Sequence, residues 1–178
     1  MFEHITVRRK PGAFNGGILC AGTRRLPCAL GRSGVTVNKR EGDGATPGHA
    51  VLRPRFGYWR ADRLATRPAC PLPMKPISAD DGWCDAPDHA CYNAPVTLPF
   101  DASHEAMCRD DELYNLCFVL DWNMVPRRSR ARGSAIFVHV AKPGFTPTLG
   151  CIALALPDLV WLAAGLTPST RITVLKQA

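Results

Sequence analysis

The chain has 178 residues, 46% of them apolar and 8% aromatic, a length and composition that suit one globular domain with a single sizeable core. No stretch is long and apolar enough to span a membrane, and no internal repeat is present. A net charge of +7 favours anionic partners without naming one.

Sixteen prolines and fifteen glycines lie between short apolar runs, so long helices are excluded and a β-rich fold with substantial loops is expected. Residues 4–7, 17–21, 34–38 and 50–58 read as strands. Arg8 and Arg9 superficially suggest a twin-arginine address, yet residues 10–16 lack the apolar run that must follow, so no export signal is legible. The segment 60–97 shows little periodicity and three prolines within residues 71–76, which predicts a long surface excursion or a disordered insert.

Ser103 ahead of residues 104–108 predicts a short capped helix, and 113–121 a further strand. The run Arg127-Arg128-Ser129-Arg130-Ala131-Arg132 is the densest positive charge. Residues 134–141 form a β-branched and aromatic run that predicts a buried strand, with His139 near its C-terminal end. Two prolines and Gly144 then require a loop over 142–148, after which Gly150 and Cys151 restart an apolar stretch. Pro157 and Asp158 open a helix over 159–164 that Gly165 ends, and a last strand is expected near 171–175.

The chemistry sits at the two ends of that loop. A free thiol ionises near pH ~8.5, so a nucleophilic Cys151 needs an adjacent base such as His139. Glycine before a nucleophile lets the backbone approach a substrate, and the N–H groups around Leu149, Gly150 and Cys151 are candidate donors to an oxyanion. A buried, inert cysteine is the competing reading. Asp121 and Asp158 are available as a third member, and no motif supports either.

His139, Thr148, Gly150, Cys151 and Ile152 match, one by one, the His, Ser/Thr-x-Gly-Cys and aliphatic pattern of the L,D-transpeptidases with a YkuD-type catalytic domain. Residues 39–47 resemble that family's approach to its Thr-Pro-x-Gly-x-Phe segment and precede the catalytic strand in the expected order. Four departures stand out: Leu149 in place of a polar residue, Ala153 in place of arginine, His49 in place of a glycine, and a shorter His–Cys loop, with Lys142 a candidate substitute for the lost positive charge.

The resemblance implies a single, mainly β, sandwich-like domain over 1–178 with a loop-rich insertion around 60–97. It further implies a peptidoglycan L,D-transpeptidase. Cys151 as nucleophile and His139 as base would cleave a tetrapeptide stem, release D-alanine and pass the acyl group to an acceptor amine in a 3→3 cross-link. Gly150, Leu149 and Thr148 would serve the oxyanion and substrate. Water as acceptor makes the same site an L,D-carboxypeptidase, and an inactive relative would be a wall-peptide binding module. The insertion resembles a subgroup insertion of the family, with Trp83 and Tyr92 as lid candidates; the plain alternative is that both rings pin a loop to the core.

Peptidoglycan stem peptides are the implied partners, with a periplasmic or cell-envelope location; the absence of a visible signal leaves a cytoplasmic one open. No cofactor is called for. Cys84, His89, Cys91, His104 and Cys108 lack Cys-x-x-Cys spacing, so no metal is expected, and the eight cysteines lack the spacing of a compact disulfide framework. The arginine run has no accompanying nucleic-acid motif, so nucleic acid is not an expected partner, and nothing in the chain indicates an oligomeric state.

Overall fold

A computed structural model describes residues 1–175. In chain order its elements are β1 (His4–Arg9), β2 (Gly16–Ala21), β3 (Arg24–Ala29), β4 (Val35–Thr36), β5 (Thr46–Pro47), β6 (Ala50–Leu52), β7 (Pro54–Trp59) and β8 (Met74–Pro76). There follow β9 (Asp81–Cys84), β10 (Ala94–Thr97), β11 (His104–Ala106), β12 (Leu116–Leu120), β13 (Phe137–Val140), β14 (Ile152–Leu154), α1 (Leu156–Ala163) and β15 (Arg171–Val174). The class is mainly β, as expected.

Ten strands form one sheet in the order β6-β15-β1-β2-β3-β14-β13-β12-β7-β8. Only Arg53 separates β6 from β7, yet these strands belong to opposite ends of that order. The two ends therefore lie side by side, and the sheet curls on itself. The run 50–58, expected as one strand, is broken at Arg53 because its first half pairs with β15 and its second with β12.

The central strands are buried on both faces, and the two-residue period sorts their side chains. Leu116, Phe118, Leu120, Val138, Val140, Ile152 and Leu154 fill the main core, which Leu159, Leu162 and Ala163 of α1 close. Cys117, Val119, Phe137 and Cys151 take the opposite face and form a smaller core with Tyr58, Trp83, Met107 and Tyr114. Burying one large apolar side chain contributes about 1.5–3 kcal/mol, against about 0–1 for a part-exposed ion pair such as Lys75–Asp81 at 2.5 Å. Packing, not ion pairing, holds the two cores.

Two expectations are corrected, and one strand is added. The segment 104–108 is not a helix: β11 pairs antiparallel with β9, and the ladder bonds take the backbone that a helix would have used. The excursion 60–97 is not disordered, since it carries β8, β9 and β10, and β9 with β10 and β11 makes a three-stranded sheet over the smaller core. Strand β3 escapes a reading of its sequence because Pro27 interrupts it; β14 reaches only as far as Cys28, so the proline lies where that side of β3 has no partner.

Candidate active site

β13 and β14 run parallel, with Val138 level with Ile152 and His139 level with Ala153. One residue back along both strands, Cys151 lies level with Phe137. The two-residue period then sends His139 and Cys151 to the same face, and both line a cavity of about 590 Å³. Between them the loop makes a 3-10 turn at Pro143–Phe145 with Gly144 at φ 73°.

Gly150 shows why this loop has the residues it has. Its φ is 137°, and a Cβ there would stand 2.9 Å from the Ala45 carbonyl oxygen, so only glycine lets the two segments close. Thr46 in the facing segment accepts a hydrogen bond from Gly31 N–H at 2.8 Å, and its hydroxyl lies 3.5 Å from the Cys151 carbonyl. Thr148 donates to the same carbonyl at 2.8 Å and accepts from Gly150 N–H at 3.1 Å. The Gly150 N–H, expected as an oxyanion donor, is thus engaged within its own turn. Thr148 and Leu149 line the cavity; the Leu149 side chain is 70% exposed at its rim.

The Cys151 thiol accepts a hydrogen bond from Phe137 N–H at 3.3 Å and donates to the Ala135 carbonyl at 3.2 Å. Burial pushes it up to about 12, and the Glu105 carboxylate adds to the shift against Phe137 N–H and Lys39. His139 Nδ1 lies 2.8 Å from the Val140 carbonyl, a contact that requires Nδ1 to carry hydrogen and leaves Nε2 as acceptor. Burial pulls the imidazole down to about 4, with that carbonyl opposing. Both groups therefore rest uncharged at neutral pH. Its Val140 contact gives the imidazole an orienting partner, and neither Asp121 nor Asp158 lines this cavity.

Several cavity residues carry no site role in the sequence pattern. Arg109 is held by two 2.8 Å bonds to Asp111, lies 3.7 Å from Glu105, and places its guanidinium 5.4 Å from the centre of the Tyr114 ring. The Tyr114 ring meets His139 edge-on at 5.6 Å. Burial raises Glu105 above the usual carboxylate range, and Asp85 and Asp111 reinforce this. Asp85 Oδ1 is the one buried side-chain nitrogen or oxygen among the described residues with no hydrogen-bond partner. Asp85, Glu105, Arg109 and Tyr114 all line the cavity, delivered by β11 and the segments flanking β9 and β12. No spacing motif marks them. Lys142 also lines the cavity.

Trp83 and Tyr92 do not form a lid. Trp83 is fully buried, meets Phe137 edge-to-face at 5.1 Å and donates through Nε1 to Asn93 Oδ1 at 3.0 Å. Tyr92 is 1% exposed and donates its hydroxyl proton to Glu41. Neither ring lines the cavity, because both are spent on anchoring the insertion to the smaller core and to the segment around Glu41.

All eight cysteines are free thiols, and among the described residues no three His, Cys, Asp or Glu side chains converge as a metal site. No helix among the described residues is long and apolar enough to cross a membrane. No curated protein and no solved structure matches the chain. One family does match: YkuD, the L,D-transpeptidase catalytic domain, aligns with residues 15–174. That span takes in β2 through β15 and both ends of the His139–Cys151 loop, and on it the chain belongs to the YkuD family of L,D-transpeptidase catalytic domains.

Proposed function

We propose that this cavity carries out acyl transfer on peptidoglycan stem peptides, with Cys151 as nucleophile and His139 as general base. The observation that supports this most directly is the shared face of β13 and β14, which aims a thiol and an imidazole tied at Nδ1 into one cavity. As sulfur attacks the carbonyl of the third stem residue, its proton passes to His139 Nε2. The carbon–nitrogen bond to D-alanine then breaks, and the imidazolium protonates the departing amine. A thioester on Cys151 remains. An incoming amine gives its proton to the imidazole, attacks the thioester and restores the thiol, leaving a 3→3 cross-link.

Asp85, whose Oδ1 is buried without a partner among the described residues, lines a cavity that also holds Arg32, Lys39, Arg109 and Lys142. Its carboxylate is an acid open to the ammonium of a diamino acid, donor or acceptor. Thr148 and Leu149 are the loop residues placed to touch the stem; Gly150 acts through the turn. Since water fits any site that admits an amine, a carboxypeptidase uses the same first step.

Incubation with tetrapeptide muropeptides, followed by mass analysis of products, tests the assignment. The transferase reading predicts free D-alanine together with a dimer joined between third residues. Free D-alanine with tripeptide alone assigns hydrolysis. Intact tetrapeptide recovered from a folded, saturating protein would overturn catalysis in favour of a binding module.

A further inference from the structure

A second groove, of about 710 Å³, is lined by parts of the segments 50–55 and 121–132. Arg53, Arg55, Arg127 and Arg132 line it, with Trp122 and the exposed Val125. All four arginines are exposed, and among the described residues none has a carboxylate within ion-pair distance. Asp121 is the single acid in the lining, and its Oδ1 is already engaged by Arg53 N–H at 2.7 Å.

The arginine run of 127–132 is divided by the fold. Arg128 holds the carbonyls of Ala90 and Tyr92, and Arg130 lies 3.6 Å from Asp88. Arg127 and Arg132 are left to the groove. The loop that carries them is fixed: Asn123 accepts from Ser129 N–H at 2.7 Å and donates to the carbonyls of Ser129 and Gly133 at 2.8 Å each, while Trp122 Nε1 donates to the Arg132 carbonyl at 2.8 Å. Arg53 and Arg55 are two residues apart in extended chain, about 7 Å by the rise of a strand.

We infer that this groove binds a phosphodiester-linked polyol chain, an anionic polymer without bases. Guanidinium forks pair with phosphate oxygens through two parallel bonds, and the spacing of Arg53 and Arg55 fits successive acid groups joined by a short linker. Nucleic acid fits less well. Single strands bind through free aromatic faces on which bases stack, and here the one ring carries the Arg132 guanidinium at 5.4 Å. Only Gly133 separates Arg132, in the lining of this groove, from Ser134, in the lining of the cavity, so one segment contributes to both.

The inference stands apart from acyl transfer, since binding is measured without turnover. Full-length protein is titrated calorimetrically with poly(glycerol phosphate), neutral dextran and duplex DNA. Arg53→Glu with Arg55→Glu is compared with Arg67→Glu with Arg25→Glu, which changes net charge equally at exposed sites outside the groove. Binding of poly(glycerol phosphate) is expected to weaken at least about tenfold in the groove variant, and less than about twofold in the control. Should the groove variant melt early, Arg127→Ser, whose side chain makes no hydrogen bond among the described residues, gives the same reading. Equal losses in both variants would reduce the effect to bulk charge, and no binding by the unaltered protein would remove the site. Tighter binding of duplex DNA through the same arginines would replace the polymer with nucleic acid.

Discussion

Burial displaces the two groups proposed to react in opposite directions, Cys151 up to about 12 and His139 down to about 4, and this governs how the proposed chemistry must work. With the thiol raised and the imidazole lowered, both are uncharged at pH 7, so on the proposed mechanism no thiolate–imidazolium pair stands in the resting protein and sulfur loses its proton as it attacks. Nucleophilic activity therefore needs neutral imidazole, which persists down to about pH 4. The acid limb of kcat/KM should fall near 4 instead of near the ordinary histidine value of 6.5, and a limb at 6.5 in a pH–rate profile would contradict the buried imidazole. Stability follows the same sign. Between 4 and 6.5 the unfolded chain binds a proton at His139 that the folded chain refuses, so unfolding free energy should decline as pH falls through that window. In His139→Gln that part of the slope should vanish in denaturant titrations at the two ends of the window.

Among the elements, the insertion sheet is a wall of the site and not a cover that opens. Asn93, 3% exposed and at φ 54°, ties it down: Oδ1 accepts from Trp83 Nε1 and, at 2.9 Å, from Ala135 N–H, while Nδ2 donates to the carbonyls of Trp122 and Asn123 at 2.9 Å each. The Ala135 carbonyl also accepts a hydrogen bond from the Cys151 thiol, so the Asn93 side chain links the insertion to the proposed nucleophile. Trp83→Ala should cost about 3–5 kcal/mol through the cavity it leaves, visible as a lowered melting temperature by calorimetry. A fully stable Trp83→Ala protein with altered stem-peptide selectivity would restore the lid that its burial argues against.

Across the whole molecule, the parts legible in the sequence are those written in short-range pattern. The buried run 134–141, the proline-rich loop and Gly150-Cys151 fall where the structure has β13, the turn and the entry to β14, with β13 confined to Phe137–Val140. The helix after Pro157 forms as α1, and the strand expected near 171–175 forms as β15. What was not legible depends on partners distant in sequence. Residues 104–108 have local helical signals, but the free edge of β9, some twenty residues earlier, takes them as a strand. Asp85, Glu105, Arg109 and Tyr114 meet only after that pairing, so no local spacing announced them. Trp83 and Tyr92 are a related case: composition marks them as anchors without saying what they anchor to, and both are buried away from the cavity lining.

One experiment bears most directly on the claim that the curled sheet brings one sulfur and one imidazole to a common cavity. The protein is incubated with a carbapenem, an acyl donor that L,D-transpeptidases generally accept, and its intact mass is followed over time. A stable adduct of one carbapenem is expected on the unaltered protein, absent in Cys151→Ala and formed at least about 100-fold more slowly in His139→Ala. An unmodified native protein, or an adduct that survives in Cys151→Ala, would contradict the account.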